Sequence, residues 1–369
     1  MRRIRRFVLA ALTAVVGGFV FGSGGSAVAL TCEPYQSPFC QGAATQYAGG
    51  FSPGVGFGGF GGGSCTAVRT PIVFLHGNGD NALGWDSPAN TAPAGYTAPG
   101  VSVYDYFRSQ GYTDCELFGV TYLSASEQAT PSLNYHSPAK LAIIKTFIDK
   151  VKAYTGKAKV DIVAHSLGST MGLATLDYYN YWGSVNRFVN IAGAIRGLNS
   201  CLYTGYANPY VPTCGSENLY NAYIFGFYPS TGVYAFGYNR WTGSVGSQAM
   251  RNLPAKGTAI SFYTIGAGQQ DQVHCSTAAG WASCAYGPVF FARSNVRAQI
   301  NVGAGSTAAA VDLNLSDGLW TNVAGGDANG VGHFKARNNT GKIIHRMLTT
   351  ACTGIDCASA YTHGPKANY

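Results

Sequence analysis

The sequence predicts an α/β protein with a mostly parallel β-sheet covered by helices on both faces. Three observations carry this. Short apolar runs of strand length alternate with stretches of helical periodicity along most of the chain. Strands separated by helices cannot pair as hairpins and lie parallel instead. Hydrophobic residues make up 46% of 369 residues, enough for one large core and too many for a disordered chain.

In chain order, residues 71–75 (PIVFL) read as a short buried strand and 115–120 (CELFGV) as another. Residues 138–154 read as a helix: Ser137 is an N-cap, Pro138 suits the first helical position, and Leu141, Ile144, Ile148 and Val151 recur at helical spacing. Gly156 then ends it. A strand at 160–163 leads into a second helix near 167–181, followed by strands at 187–191, 259–265 and 296–302 and a last helix at 341–350. Two stretches break the rhythm. Residues 49–63 (GGFSPGVGFGGFGGG) resemble a linker, but Cys40 and Cys65 bracket them and Phe51, Phe57 and Phe60 give them something to bury, so an ordered surface loop is expected. Residues 198–250 hold twelve aromatic rings without regular periodicity, including Tyr203, and read as an enlarged insertion that shapes a binding surface.

Residues 1–29 have a basic start (MRRIRR), an apolar stretch and Ala27-Val28-Ala29 at the end, the three parts of a secretion signal. One catalytic domain is expected over 30–369, extracellular, with no membrane span because no later run of 18 apolar residues exists. All ten cysteines follow the signal, an even count that argues for disulfides in an exported chain. Sequential pairing is expected: Cys32–Cys40, Cys65–Cys115, Cys201–Cys214, Cys275–Cys284 and Cys352–Cys357. There is no C-x-x-C pair to suggest a zinc ribbon or a thioredoxin-type site.

Charged residues are only 11% of the chain. Without Arg2, Arg3, Arg5 and Arg6 of the signal, 20 of the 24 basic residues remain against 16 acidic ones, a balance of +4. No Lys/Arg cluster offers a footprint for nucleic acid, and no carboxylate-rich run suggests a metal cage. No phosphate-binding glycine motif follows a strand, so neither a metal nor an organic cofactor is expected, and the chain is expected to be a monomer.

The strongest chemical signal is Ala164-His165-Ser166-Leu167-Gly168, a G-x-S-x-G pattern with Ala in the first place. A strand runs into it and a helix runs out, the context of the nucleophile elbow of α/β-hydrolases. Residues two positions either side of the serine must be small, because strand and helix backbones crowd there. A serine hydroxyl needs a base. Of seven histidines, His333 lies after the last strand and before the last helix, where this fold places its base; His165 is adjacent to Ser166 and is expected to point elsewhere. The orienting acid should follow a late strand. Asp271 does, with Asp327 in GGDANG as its rival. An oxyanion hole needs two N–H donors. One is Leu167, directly after the nucleophile. Asn78, in the loop HGNGDN (76–81) after the first strand, is the candidate for the other. His76 is expected to pack beneath the site.

The A-H-S-x-G elbow is that of secreted bacterial lipases, and the chain resembles more closely the lipase-like extracellular poly(3-hydroxybutyrate) depolymerases that attack native, amorphous polymer. The resemblance covers nearly all of 30–369. It is carried by TQYAGGFSPGVGFGGFGGGSCTA (45–67), FLHGNGDNA (74–82), FGVTYLSASEQ (118–128), NYHS (134–137), AIIKTFIDKVKAYTGK (142–157), VDIVAHS (160–166), DQV (271–273), AQINVGAGS (298–306) and NGVGHF (329–334). It implies an α/β-hydrolase fold with an enlarged aromatic substrate region. It places a catalytic Ser, Asp and His on Ser166, Asp271 and His333, and oxyanion donors on Asn78 and Leu167. Near relatives have Met after the serine; the donor is backbone, so Leu167 serves equally. Substrate-contacting tyrosines map onto Tyr135 and Tyr203, and two further aromatic positions of the family appear as Leu133 and Leu202. The implied activity is hydrolysis of a polyester. Two alternatives stay open: a triacylglycerol lipase or broad polyesterase on the same machinery, and a non-catalytic polymer-binding protein that kept the fold.

Overall fold

The computed structural model describes residues 30–32, 35–36, 39–40, 45–89, 92, 95–195, 213, 257–275, 287–290, 293–303 and 331–369. The signal segment, the 198–250 insertion (residue 213 apart) with Tyr203, the rival Asp327, and Cys201, Cys214 and Cys284 lie outside these residues.

Eleven short strands occur among the described residues: β1 (Tyr35–Gln36), β2 (Phe39–Cys40), β3 (Thr45–Tyr47), β4 (Gly59–Gly61), β5 (Ile72–Leu75), β6 (Leu117–Val120), β7 (Val160–His165), β8 (Val185–Ile191), β9 (Ser261–Gly266), β10 (Val296–Asn301) and β11 (Ala367–Asn368). β1 and β2 form a separate antiparallel pair. The other nine make one sheet in the order β11-β10-β9-β8-β7-β5-β6-β4-β3. The six strands from β10 to β6 are mutually parallel, and antiparallel pairing appears only where β4 meets β6 and β11 meets β10. The exchange of β5 and β6 leaves β7 directly beside β5. The loops after these two strands therefore open side by side at the carboxyl edge, where open α/β sheets bind ligands. This is the mixed, mostly parallel sheet of an α/β-hydrolase.

The α-helices among the described residues are α1 (Val103–Ser109), α2 (Ala125–Ala129), α3 (Pro138–Thr155), α4 (Leu167–Tyr178), α5 (Gln272–Cys275), α6 (His333–Asn338) and α7 (Gly341–Thr349), with short 3₁₀ turns between elements. Ser137 caps α3 by accepting from the Lys140 N–H, with Pro138 behind it, as its sequence predicts. The two-residue period of β5 divides its side chains between two cores. Val73 and Leu75 face the core under α3 and α4, with Leu141, Phe147 and Met171; Ile72 and Phe74 face the core under α1 and α7, with Phe107 and Ile344. Each fully buried aliphatic or aromatic side chain contributes roughly 1.5–3 kcal/mol.

The glycine-rich stretch departs from expectation. It is not a loop throughout: β4 lies within it, pairs with β3 and extends the sheet past β6. Glycine disfavours strands, so propensity pointed away from this. The reason it is glycine is proximity: a Cβ on Gly59 would stand 2.1 Å from the Gly119 carbonyl oxygen. Phe51 and Phe60 are buried as expected, whereas Phe57 is half exposed. The elbow helix is also shorter than expected, ending at Tyr178.

Three expected disulfides are present: Cys32–Cys40, Cys65–Cys115 and Cys352–Cys357. Of these three, Cys65–Cys115 closes the longest loop, with a separation of 50 residues. It ties the segment after β4 to the start of β6. Replacing both cysteines with serine is expected to lower unfolding free energy by about 4 kcal/mol, the chain-entropy value for a loop of that length. Urea denaturation under non-reducing conditions measures it; a loss below about 1 kcal/mol would mean the loop is already constrained in the unfolded chain.

Candidate active site

β7 delivers Ser166 at its carboxyl end, and α4 begins at the next residue. Ser166 has φ 52° and ψ −124°, a backbone conformation that side chains other than glycine rarely adopt. The strain is retained because the neighbouring backbone leaves no other path. A Cβ on Gly168 would lie 2.3 Å from the His76 carbonyl oxygen, and one on Gly77 would lie 2.9 Å from His165 Nδ1 and 3.2 Å from Ser166 Cβ. The loop after β5 thus runs against the elbow with nothing between them. Ser166 N–H donates to the Ile191 carbonyl, which fixes the turn to β8.

Asp271 follows β9 and a single 3₁₀ turn, and His333 opens α6. Both are buried, and His333 Nδ1 lies 2.9 Å from each carboxylate oxygen of Asp271. The ring therefore donates from Nδ1 and presents Nε2 as the basic atom. Asp271 Oδ1 also accepts the N–H groups of Val273 (3.0 Å) and His274 (2.8 Å), the first turn of α5. Burial pushes the Asp271 carboxyl up, but His333, His274 and these hydrogen bonds outweigh it and hold the group below the usual carboxylate range. It is ionised at neutral pH. The Gln272 side-chain oxygen accepts the His333 N–H at 2.8 Å, so the helix that follows Asp271 also holds the His333 backbone.

Two further histidines complete this cluster, and neither role is legible from residue order. His165 does not point away, as the sequence suggests. Its Nε2–H donates to the His333 carbonyl (3.1 Å) and its ring centroid lies 4.7 Å from that of His333. Burial, followed by the charges of His333 and Arg337, holds its pKa far below the ordinary histidine value, so it stays neutral. His274 donates from Nε2 to the Ala192 carbonyl at 2.9 Å. Asp271, His274 and His333 each offer one ligand atom within 4.8 Å of the others. One nitrogen of each ring, His333 Nδ1 and His274 Nε2, is hydrogen-bonded to a protein acceptor, the Asp271 carboxylate and the Ala192 carbonyl.

Leu167 is buried at the first position of α4, where no carbonyl within the helix can reach its N–H. Asn78 sits on the facing loop, and its side chain is occupied: Nδ2 donates to the Pro131 carbonyl (2.9 Å) and Oδ1 accepts from Asn134 Nδ2 (2.6 Å). Any donation from Asn78 to substrate must come from its backbone. His76 packs beneath, as expected. Its ring stacks on Tyr122 at 4.2 Å, Nδ1–H donates to the Gly77 carbonyl, and Nε2 accepts the Tyr122 N–H. That bonding requires the neutral ring, and burial pushes its pKa down to about 4. Tyr135 is exposed, with the Lys140 ammonium 5.0 Å from its ring centroid, and Leu133 is exposed beside it.

The family model of class 2 lipases matches residues 69–222, the stretch that holds the Asn78 loop and the Ser166 elbow. Similar solved structures include Aspergillus fumigatus lipase B, with 13% identity over 81% of this chain and 58% of that chain, TM-score 0.42. The mature form of the Bacillus licheniformis lipase BlEst2 has 14% identity over 56% of this chain and 69% of that one, TM-score 0.33. Its propeptide form also has 14% identity, over 56% of this chain and 38% of that chain, TM-score 0.34. The chain is similar to class 2 lipases over its elbow region.

Gly168→Ala places a methyl against backbone that cannot yield, so the elbow must shift. Catalytic turnover is expected to fall about 100-fold, the effect of a misplacement near 1 Å, together with a lower Tm; wild-type turnover in the variant would mean that the backbones can part at no cost. His76 makes acid stability pH-dependent. Its folded pKa lies below its ordinary 6.5, so between pH 6.5 and about 4 the unfolded chain binds the extra proton and stability falls with falling pH. His76→Gln is expected to remove up to about 1.4 kcal/mol per pH unit of that slope. Urea denaturation at pH 4.5, 5.5 and 6.5 reads it, and identical slopes for variant and wild type would contradict a buried neutral ring.

Proposed function

We propose that this protein is a secreted serine hydrolase that cleaves the ester bonds of poly(3-hydroxybutyrate), with Ser166, His333 and Asp271 as its triad. The observations that carry the reading are the buried, ionised Asp271 hydrogen-bonded to His333 Nδ1 and the strained elbow conformation of Ser166, whose neighbour His165 has its ring centroid 4.7 Å from that of His333. The class 2 lipase match supports ester hydrolysis.

Ser166 Oγ attacks the ester carbonyl carbon while His333 Nε2 takes its proton. Asp271 keeps the imidazole in the correct tautomer and stabilises the imidazolium. Backbone N–H groups of Leu167 and Asn78 receive the negative charge on the former carbonyl oxygen, each contributing about 3 kcal/mol to the barrier reduction. The intermediate collapses, and His333 returns the proton to the departing hydroxyl end of the chain. Water, deprotonated by His333, then attacks the acyl-enzyme and frees a carboxylate while Ser166 regains its proton.

The polymer assignment rests on the sequence resemblance and on surface chemistry. Leu133 and Tyr135 are exposed beside the Pro131–Asn134 turn that clasps Asn78. An uncharged polyester is bound by apolar and aromatic surface rather than by charge. The lipase match keeps triacylglycerol hydrolysis as the second reading.

Product analysis on amorphous polymer granules, run beside triolein emulsion, tests the substrate. Soluble hydroxybutyrate oligomers with little fatty acid release are expected; the reverse preference would favour the lipase. Ser166→Ala is expected to lose about 10⁶-fold in kcat and Asp271→Asn about 10⁴-fold. Unchanged hydrolysis in Ser166→Ala would remove the catalytic assignment, and granule adsorption without acid release by wild type would favour a binding protein.

A further inference from the structure

Asp80 and Arg337 form an ion pair with both side chains almost completely buried. Asp80 lies two residues after Asn78, at the end of the proposed oxyanion loop. Arg337 lies one helical turn after His333 on α6. The pair is locked on every side. Asp80 Oδ1 accepts the Asn81 N–H at 2.8 Å; Arg337 Nε donates to Asn338 Oδ1 at 2.7 Å and Nη2 to Ser87 Oγ at 3.5 Å. The guanidinium stands 6.0 Å from the centre of the Trp85 ring. A Cβ on Gly84 would come within 2.7 Å of the Asp80 carboxylate and 2.9 Å of Arg337 Nη1, so the contact has no room to slide.

A buried ion pair is a poor device for stability, because desolvation cancels much of its attraction. It is a good device for orientation, because a guanidinium and a carboxylate meet in few geometries. α6 needs such a device: six residues are too few to hold a helix by internal hydrogen bonds alone, so its position comes from tertiary contacts. We propose that the Asp80–Arg337 pair is a positioning device that keeps the oxyanion loop in register with the helix that carries His333. The pair touches neither substrate nor reacting atoms. It sets the distance between the groups that stabilise the oxyanion and the group that moves the proton. The inference rests on the triad reading above.

The test measures kcat and KM for p-nitrophenyl butyrate, and inhibition by phenylboronic acid, whose adduct with the nucleophile mimics the tetrahedral oxyanion. Wild type, Asp80→Asn, Arg337→Gln, Arg337→Lys and the Asp80→Asn/Arg337→Gln double variant are compared well below each Tm. Loss of positioning is expected to lower kcat ten- to 100-fold, with KM within threefold and phenylboronate weakened in step with kcat. The double variant should be no worse than the single ones, and Arg337→Lys should recover part of the loss. If Arg337→Gln does not fold, Asp80→Asn, neutral and of the same shape, carries the measurement. Variants with lowered Tm but kcat and boronate affinity within twofold of wild type would overturn the proposal and leave a purely structural pair. Ser166→Ala separates the two ideas: a wild type without esterase activity, or an active Ser166→Ala, would undo the triad reading itself.

Discussion

The structure depends on how closely three stretches of backbone approach at the carboxyl edge of the sheet. The loop after β5, the turn at Ser166 and the first turn of α4 meet with less than one methyl group between them. Gly77 and Gly168 are the consequence, and the positive φ of Ser166 is what the crowding holds in place. The same closeness sets the Leu167 N–H opposite the Asn78 loop. Ser166 and the backbone N–H groups proposed to stabilise the oxyanion are thus fixed by main-chain packing before any side chain is chosen.

Asp271 and His333 are organised differently, by burial and hydrogen bonds. Asp271 accepts from His333 and from two backbone N–H groups, and so keeps its charge in a site that would otherwise neutralise it. His165 and His274 flank the pair and donate to carbonyl oxygens. They fill the space around His333, and burial favours the neutral form of each ring. Asp271 and His333 are also joined through the Gln272 contact to the His333 N–H, so a shift of α5 would move both.

Much of this was legible in the sequence because it is written in local patterns. The strand-A-H-S-x-G-helix context places Ser166, the position of α3 follows from its cap and its apolar spacing, and three cysteine pairings, two of them short-range, follow from order along the chain. What was not legible depends on approach in space. Glycine-rich β4 reads as a loop because its strand character comes from the neighbouring Gly119 carbonyl and not from its own residues. His165, beside Ser166 in sequence, turns out to hydrogen-bond to His333, 168 residues away. Arg337 and Asp80, 257 residues apart, carry no pattern that links them. A His followed four residues later by Arg in a short helix is the one local trace, and it gains meaning only once the Asn78 loop lies beside it.

The central claim is that Ser166 is made nucleophilic by His333 and Asp271 acting as one unit. Reaction with a fluorophosphonate, followed by peptide mass spectrometry, tests it most directly, because this reagent labels serines only where a base activates them. One label per chain on Ser166, lost in His333→Gln and slowed in Asp271→Asn, is the predicted result. Labelling of another residue, or equal labelling of Ser166 without His333, would contradict it.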